Sequence, residues 1–361
     1  MVIVLGIDPH KKSHTVVAVE ATTGEVLGEL TVQTSDAGQA RLLSWARSLA
    51  PERRFALEDC RHLTGRLERF LIARGETAVR VPPKLMAQTR RSARTRGKSD
   101  PIDAAAVARA ALREPDLPEA RLPGPERELR LLADHRADLV GERTRIQGRL
   151  RWHLHDLAVP LAIPPKALDR ACWLARLEET LAASPRCVQV RIARELTERC
   201  RMLTVEINAL ERELTTLTSE LAPELLALPG CGALTAACLV GETAGALRFA
   251  SEARFAMHAG VAPVPVSSGR TDRYRLNRRG NRQMNCALHR IAITQMRMHE
   301  PAQAYMARKR AEGKSKREAL RCLKRHLART VWHALRAAEA RRQTMLETLE
   351  PSTQPALALA S

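Results

Sequence analysis

The spacing of apolar residues changes once along this chain, near Ser99, and that change limits the folds open to it. Ahead of it, strand-like and helix-like segments alternate. Residues 2–7 (VIVLGI) form an unbroken apolar run ending at Asp8, the pattern of a strand covered on both faces. Residues 14–20 and 26–33 read as two more strands, with a turn at Thr23-Gly24 between them. The pattern then predicts a helix over 36–49, a strand over 54–60, a helix over 62–75 closed by Gly75, and a strand over 77–83 stopped by prolines. The order βββαβαβ predicts a mixed α/β sheet with helical crossovers.

Beyond Ser99 the period is helical. SDPIDAAAVARAALRE opens it, a Pro/Gly-rich stretch at 114–126 interrupts it, and 126–154 reads as one long charged helix. In 191–221, Leu196, Leu203, Leu210, Leu214 and Leu217 stand at heptad-like spacing, predicting a coiled coil or a long hairpin arm. Residues 156–190 fit no single pattern. The predicted domains are an α/β domain over 1–155, a helical linker or coiled coil over 156–222, a mainly α-helical C-terminal domain over 223–340, and a weakly ordered tail over 341–361.

With 45% hydrophobic residues the chain can bury a core, and its net charge of +19 calls for a polyanionic partner, nucleic acid first. No run of 18 apolar residues exists, the N-terminus has the reverse polarity of a signal peptide, and no membrane role is expected. The eight cysteines show no CxxC spacing, which argues against zinc or a disulfide framework and for a reducing cytoplasm. Aromatics make up only 3%, which argues against stacking platforms for single-stranded bases.

Four acids stand where metal-assisted phosphoryl chemistry would place them. Asp8 ends the first strand, Glu58 the fourth, and Asp100 and Asp103 share one face at the mouth of a helix. Hard divalent ions such as Mg²⁺ take oxygen ligands, and two of them stabilise both oxygens of an in-line displacement. The local alternative is a helix start: Asp100 as N-cap, Pro101 at N1 and Asp103 at N3. Lys84, Arg90, Arg91, Arg94, Arg96 and Lys98 form a basic run leading to Asp100, suited to phosphates or else a solvated loop.

In the C-terminal domain, LLALPGCGALTAACLVGE (225–242) reads as a helix–hairpin–helix-like element. Its Gly230 and Gly232 admit close backbone approach, the bland alternative being an ordinary αα corner. The turn-rich stretch after it carries Arg270, Arg273, Arg275, Arg278, Arg279 and Arg282, whose guanidinium forks suit phosphate. Ser267 and Ser268 precede Gly269 there, and such a serine could attack phosphorus, although Ser-Ser-Gly is also common loop material. Basic residues from Arg308 to Arg329 offer a further backbone-binding face. His10, His14, His258, His289 and His326 show no metal-ligand spacing and read as polar or core residues.

GIDPHK, ALEDC, GKSDPIDAAAVARA, LPGCGALTAA and AGVAPVPVSSGR…RLNRRGN occur in that order over nearly the whole chain, which thereby resembles the DEDD transposases of the insertion sequence 110 family. The resemblance implies an N-terminal RuvC-like domain of the RNase H fold, with Asp8, Glu58, Asp100 and Asp103 as the Mg²⁺-binding DEDD set. It implies a nucleophilic serine, placed at Ser268 because that residue immediately precedes the glycine, with Ser267 as second choice. It further implies a 5′-phosphoserine link to DNA, a site composed from two subunits of a homo-oligomer (dimer or tetramer), a structured bridge RNA that chooses donor and target, and a cytoplasmic, nucleoid-associated location. Two rivals stand beside this reading: a RuvC-like junction-resolving nuclease without serine chemistry, and a non-enzymatic nucleic-acid binder.

Overall fold

The apolar run at the N-terminus becomes the central strand of a five-stranded sheet. The structure is a computed structural model that describes all residues except 93–98, 115, 116, 118, 123, 267–273, 276, 278, 279 and 350–361. It divides into two compact units, Met1–Pro123 and Gly124–Ser361.

In the first unit, β1 (Val2–Pro9), β2 (Ser13–Glu20) and β3 (Val26–Gln33) form an antiparallel meander, followed by α1 (Asp36–Leu49). Next come β4 (Glu52–Glu58), α2 (Arg61–Ile72), β5 (Thr77–Val81), α3 (Pro83–Ser92) and α4 (Asp100–Arg113). The sheet order is β3-β2-β1-β4-β5, with β1, β4 and β5 parallel, so each step from β1 to β4 to β5 crosses over through a helix. This is the mixed α/β sheet expected from the sequence.

Both faces of β1 are covered, which explains its unbroken apolar run. Ile3, Leu5 and Ile7 pack with Phe55 and Leu57 under Leu42, Ala46, Leu67 and Leu71 of α1 and α2. Val4 packs on the opposite face with Ala56, Val79 and Val81 under Ala104, Val107, Ala108 and Ala111 of α4. The alanines let α4 lie close, and Gly6 lets it lie flush. A Cβ on Gly6 would stand 2.1 Å from the Ala104 carbonyl oxygen and 2.5 Å from the Ala108 amide nitrogen. At the far edge, the buried Glu76 accepts from Arg53 at 2.6 Å and from Arg47 at 3.0 Å, and Glu68 holds Arg80 bidentately.

The second unit is helical apart from a two-residue pairing. α5 (Pro125–Asp156) runs beside α7 (Val188–Leu221), with α6 (Ala171–Ala182) packed on α7. Ile146, Leu150 and Leu154 meet Leu196, Cys200, Leu203 and Ile207 in one core, so the heptad-like leucines serve a hairpin within the chain. Then follow α8 (Pro223–Leu226), α9 (Ala233–Thr243), α10 (Glu252–His258), α11 (Arg282–Met298), α12 (Glu300–Ala311) and α13 (Lys316–Leu349). Strands β6 (Val264–Pro265) and β7 (Tyr274–Arg275) form a short antiparallel pair.

The first compact unit ends at Pro123, and α5 packs with α7 and α9 in the second. Residues 341–349, expected in a loose tail, continue α13. Arg341 donates to Glu224 at 2.8 Å and Arg342 to Glu126 at 2.6 Å, and these bonds hold that last stretch. The basic run leading to Asp100 begins in α3, opened by Pro83, whose fixed φ suits a first helical turn.

Candidate active site

Asp8 and Glu58 stand at the carboxyl ends of adjacent parallel strands. Ile7 pairs with Leu57, so the two acids follow at the same level, about 4.8 Å apart in the hydrogen-bonding direction. Ile7 and Leu57 face α1 and α2, so alternation turns the next residue of each strand toward α4. The Cys60 thiol reports the crowding of acids there. Burial raises its pKa first, and the charges of Glu58, Asp59 and Asp8 raise it further.

α4 brings the other two acids. Its N-cap is Ser99, whose carbonyl accepts from the Asp103 amide at 3.0 Å. Asp100 is therefore the first helical residue, with Pro101 second and Asp103 fourth, one place further into the helix than the N-cap assignment expected. That leaves the Asp100 side chain exposed at the mouth of the helix, while Asp103, one turn on, is buried against the sheet. Both acids in the first turn also suit the positive end of the helix dipole.

His10 joins them. Its Nε2 lies 3.3 Å from Asp8 Oδ2 and 3.3 Å from Asp100 Oδ2, and one ligand atom from each of the three residues falls within 4.8 Å of the others. The sequence alone marks His10 as a polar or core residue, and the structure places it between two of the acids. The signal lies in the Asp-Pro-His order that closes the first strand, which no ligand-spacing rule covers. The imidazole stands where a cation between the two carboxylates would interact, and the oxygen-rich donor set suits a hard divalent ion. Next along the chain, His14 is in the core on β2, and burial lowers its pKa.

The remaining expected site residues are less gathered. Lys84, Arg90 and Arg91 lie on α3, while Arg94, Arg96 and Lys98 fall outside the described residues. Gly230 turns with φ +80°, and a Cβ there would meet Thr294 at 3.0 Å, so a glycine is required. Gly232 is the N-cap of α9. Arg275 is exposed on β7 and Arg282 is exposed at the start of α11. Ser267, Ser268, Arg270, Arg273, Arg278 and Arg279 lie outside the described residues. On the C-terminal helices, Arg308, Arg310, Arg317 and Arg321 are exposed, but Lys309 is paired to Glu312 and Arg325 and Arg329 to Glu252.

One arrangement in this unit was not anticipated. Asn277, Asn281 and Asn285, four residues apart, each tie back to the segment 257–260. Asn277 Nδ2 donates to the Met257 carbonyl at 3.1 Å, the Asn281 amide to the His258 carbonyl at 2.6 Å, and Asn285 Nδ2 to the Gly260 carbonyl at 2.9 Å. Asn281 also caps α11 by accepting from the Met284 amide and bonds the buried Glu242, while Lys324 bonds Asn285. Gly260 and Gly280 touch at this point, since a Cβ on Gly280 would lie 2.1 Å from the Gly260 Cα. The two ends of the stretch 261–280 are thereby pinned side by side.

A family model for DEDD transposases of IS110, described as Transposase, matches residues 5–158, and one described as Transposase IS116/IS110/IS902 family matches residues 222–307. The chain is 30% identical to the insertion element IS116 uncharacterized 44.8 kDa protein of Streptomyces clavuligerus, over 92% of this chain and 94% of that protein. It is 27% identical to the insertion element IS900 uncharacterized 42 kDa protein of Mycobacterium paratuberculosis, over 92% and 95%. Among solved structures it is similar to T. thermophilus RuvC in complex with Holliday junction substrate, at 17% identity and a TM-score of 0.27, over 33% of this chain and 100% of that one. The two transposase family models and the 30% identical relative place the protein among enzymes that cut and recombine DNA. The chain belongs to the IS116/IS110/IS902 family of transposases.

Proposed function

We propose that the protein excises and inserts its own mobile element, cutting DNA strands with a Mg²⁺-dependent carboxylate site and rejoining them through a serine nucleophile. The observation that carries this reading is the meeting of Asp8, His10 and Asp100 within 4.8 Å at the end of the strand beside Glu58. Asp8, Glu58, Asp100 and Asp103 would hold the cations, two ions being the number suited to an in-line displacement. When bound, Mg²⁺ neutralises charge on the attacking and leaving oxygens of the phosphodiester. His10 Nε2 lies 3.3 Å from both Asp8 Oδ2 and Asp100 Oδ2 and would help align the two carboxylates.

The serine step belongs to Ser268, with Ser267 as the second candidate. The Ser268 oxygen attacks phosphorus, a P–O bond to the protein forms, the P–O3′ bond breaks, and the released 3′-oxygen takes up the proton. The product is a 5′-phosphoserine link that a later strand can reverse. Close to it in the sequence, Arg270, Arg273, Arg275, Arg278, Arg279 and Arg282 would neutralise phosphates, as would Lys84, Arg90, Arg91, Arg94, Arg96 and Lys98 in the run that precedes Asp100. Gly230 and Gly232 would let the strand backbone approach α9.

The partners of this reading are DNA at the element ends and target, a structured guide RNA, and further copies of the chain as a dimer or tetramer. A charge of +19 without a base-reading module suits a system in which pairing with RNA carries the sequence information. The deciding experiment incubates the purified protein with element-end DNA, candidate RNA and Mg²⁺, then denatures it. A protein–DNA adduct that survives denaturation supports the reading, and cleavage without any adduct overturns the serine step.

A further inference from the structure

The pairing of β6 with β7 is too short to hold itself. Val264 pairs with Arg275 and Pro265 with Tyr274, and an isolated hairpin of that size is marginal in water. Its support comes from its foot. Gly260 and Gly280 touch there, and Asn277, Asn281 and Asn285 tie the chain across to 257–260. Ser267 and Ser268 stand in the sequence between the two strands, two and three residues after Pro265.

The middle tie is built unlike the other two. Asn281 Oδ1 accepts from the Met284 amide at 3.0 Å and so caps α11, while Asn281 Nδ2 donates to Glu242 of α9. Glu242 is only 6% exposed, and Arg130 of α5 stands 3.5 Å from its other oxygen. The two helices meet closely here, since a Cβ on Gly241 would lie 2.8 Å from the Arg130 Cβ. The carboxylate settles which way the amide points. Only with Nδ2 toward Glu242 are the cap and the pair both satisfied. The Asn281 backbone amide then donates to the His258 carbonyl at 2.6 Å and closes the foot.

A helix cap alone needs none of this. Ser35 caps α1 and Ser251 caps α10, each through one hydroxyl oxygen, and a serine would serve α11 as well. Burying an ionised carboxylate is costly, and its partners offset that cost without strengthening the cap. The added groups act on Asn281, directly after the end of the serine-bearing stretch 261–280.

We infer that Glu242 and Asn281 are positioning residues for the serine step: the pair locks the foot of the β6–β7 hairpin and so sets where the serine-bearing stretch leaves and rejoins the fold. The inference rests on the serine nucleophile proposed above. Both residues act through the chain and not on the reacting atoms. A misplacement of about 1 Å costs roughly 100-fold in rate, so a loosened foot reaches the chemistry while DNA binding persists.

The test compares full-length wild-type, Asn281→Asp, Asn281→Asp/Glu242→Gln and Glu242→Ala proteins. It measures the rate of adduct formation at saturating element-end DNA, with candidate RNA and Mg²⁺, together with the DNA concentration for half-maximal rate and the thermal midpoint. Asn281→Asp keeps the cap, because a carboxylate oxygen accepts from Met284 equally well, but it sets two carboxylates against each other. The rate should fall roughly 10- to 100-fold with half-saturation unchanged. In the double variant the new amide donates to the new carboxylate, and most of the rate should return. Glu242→Ala releases the Asn281 amide without touching the cap and should lower the rate in the same direction, an independent route should Asn281→Asp not fold. Unchanged rates in Asn281→Asp and Glu242→Ala, no recovery in the double variant, or a loss seen only in half-saturation overturns the inference. So does a rate loss no larger than the loss of folded protein. An adduct missing from the wild-type protein overturns the serine step itself, and the inference with it.

Discussion

Gly6 of the central strand and Ala104 of α4 are in backbone contact, with room for no side chain between them: a Cβ on Gly6 would lie 2.1 Å from the Ala104 carbonyl oxygen. This contact fixes how deeply the helix sits on the sheet, and the same helix carries Asp100 and Asp103 in its first turn. Gly6→Val should therefore lift α4. Overpacking of this kind costs roughly 1–3 kcal/mol, read as a lower denaturant midpoint. Strand cleavage should fall further than stability, because a carboxylate displaced by about 1 Å loses its place in the reaction.

The four acids should behave as one unit. Asp8→Ala and Asp103→Asn should each abolish Mg²⁺-dependent strand cleavage and leave DNA affinity close to wild type in a gel-shift titration. Chelation by EDTA should do the same to the wild-type protein, with activity restored by added Mg²⁺. Retained cleavage in either variant contradicts the metal-site assignment.

His10 offers a finer test. It contacts two of the proposed ligands without being one of the four acids. His10→Ala should reduce cleavage and raise the Mg²⁺ concentration needed for half-maximal rate, since Asp8 and Asp100 lose the group that aligns them. An unchanged Mg²⁺ dependence would show that the imidazole plays no part in preparing the site.

Ser268→Ala should eliminate the denaturation-resistant adduct while DNA binding persists. Persistence of the adduct in that variant, and its loss in Ser267→Ala, would move the nucleophile by one residue.

The cysteines should divide by burial. Cys172, Cys187 and Cys286 are exposed, whereas burial pushes Cys200 up to about 11 and Cys231 and Cys238 up to about 12. Raised pKa values suppress the thiolate that reacts, so at pH 8 the first three should label quickly with a thiol reagent and the last three only on unfolding. Mass spectrometry of the native and denatured protein checks this.

The sheet was legible because its strands obey simple patterns. VIVLGI is unbroken because two layers cover it, and the turn at Thr23-Gly24 ends β2 on schedule. Asp8, Glu58, Asp100 and Asp103 were legible as strand-end and helix-start acids. What escaped depended on contacts between distant residues or on conflicting local signals. α3 was missed because its basic residues lack an apolar stripe and its first residue, Pro83, read as the end of a strand. The cap alternative for Asp100 rested on the Pro that follows it, yet Ser99 takes that position. His10 acquires its role only when α4 arrives over β1, and the asparagines 277, 281 and 285 acquire theirs only when 257–260 lies alongside. The hairpin of α5 and α7 was left open because a heptad stripe does not say whether its partner is in the same chain.

The most direct measurement is the anomalous signal of Mn²⁺ soaked into crystals of the protein as a stand-in for Mg²⁺. The account predicts a peak bound by carboxylate oxygens of Asp8 and Asp100, with Glu58 and Asp103 completing the ligands of one or two ions. A crystal that takes up Mn²⁺ elsewhere and leaves these four side chains without density between them would contradict it.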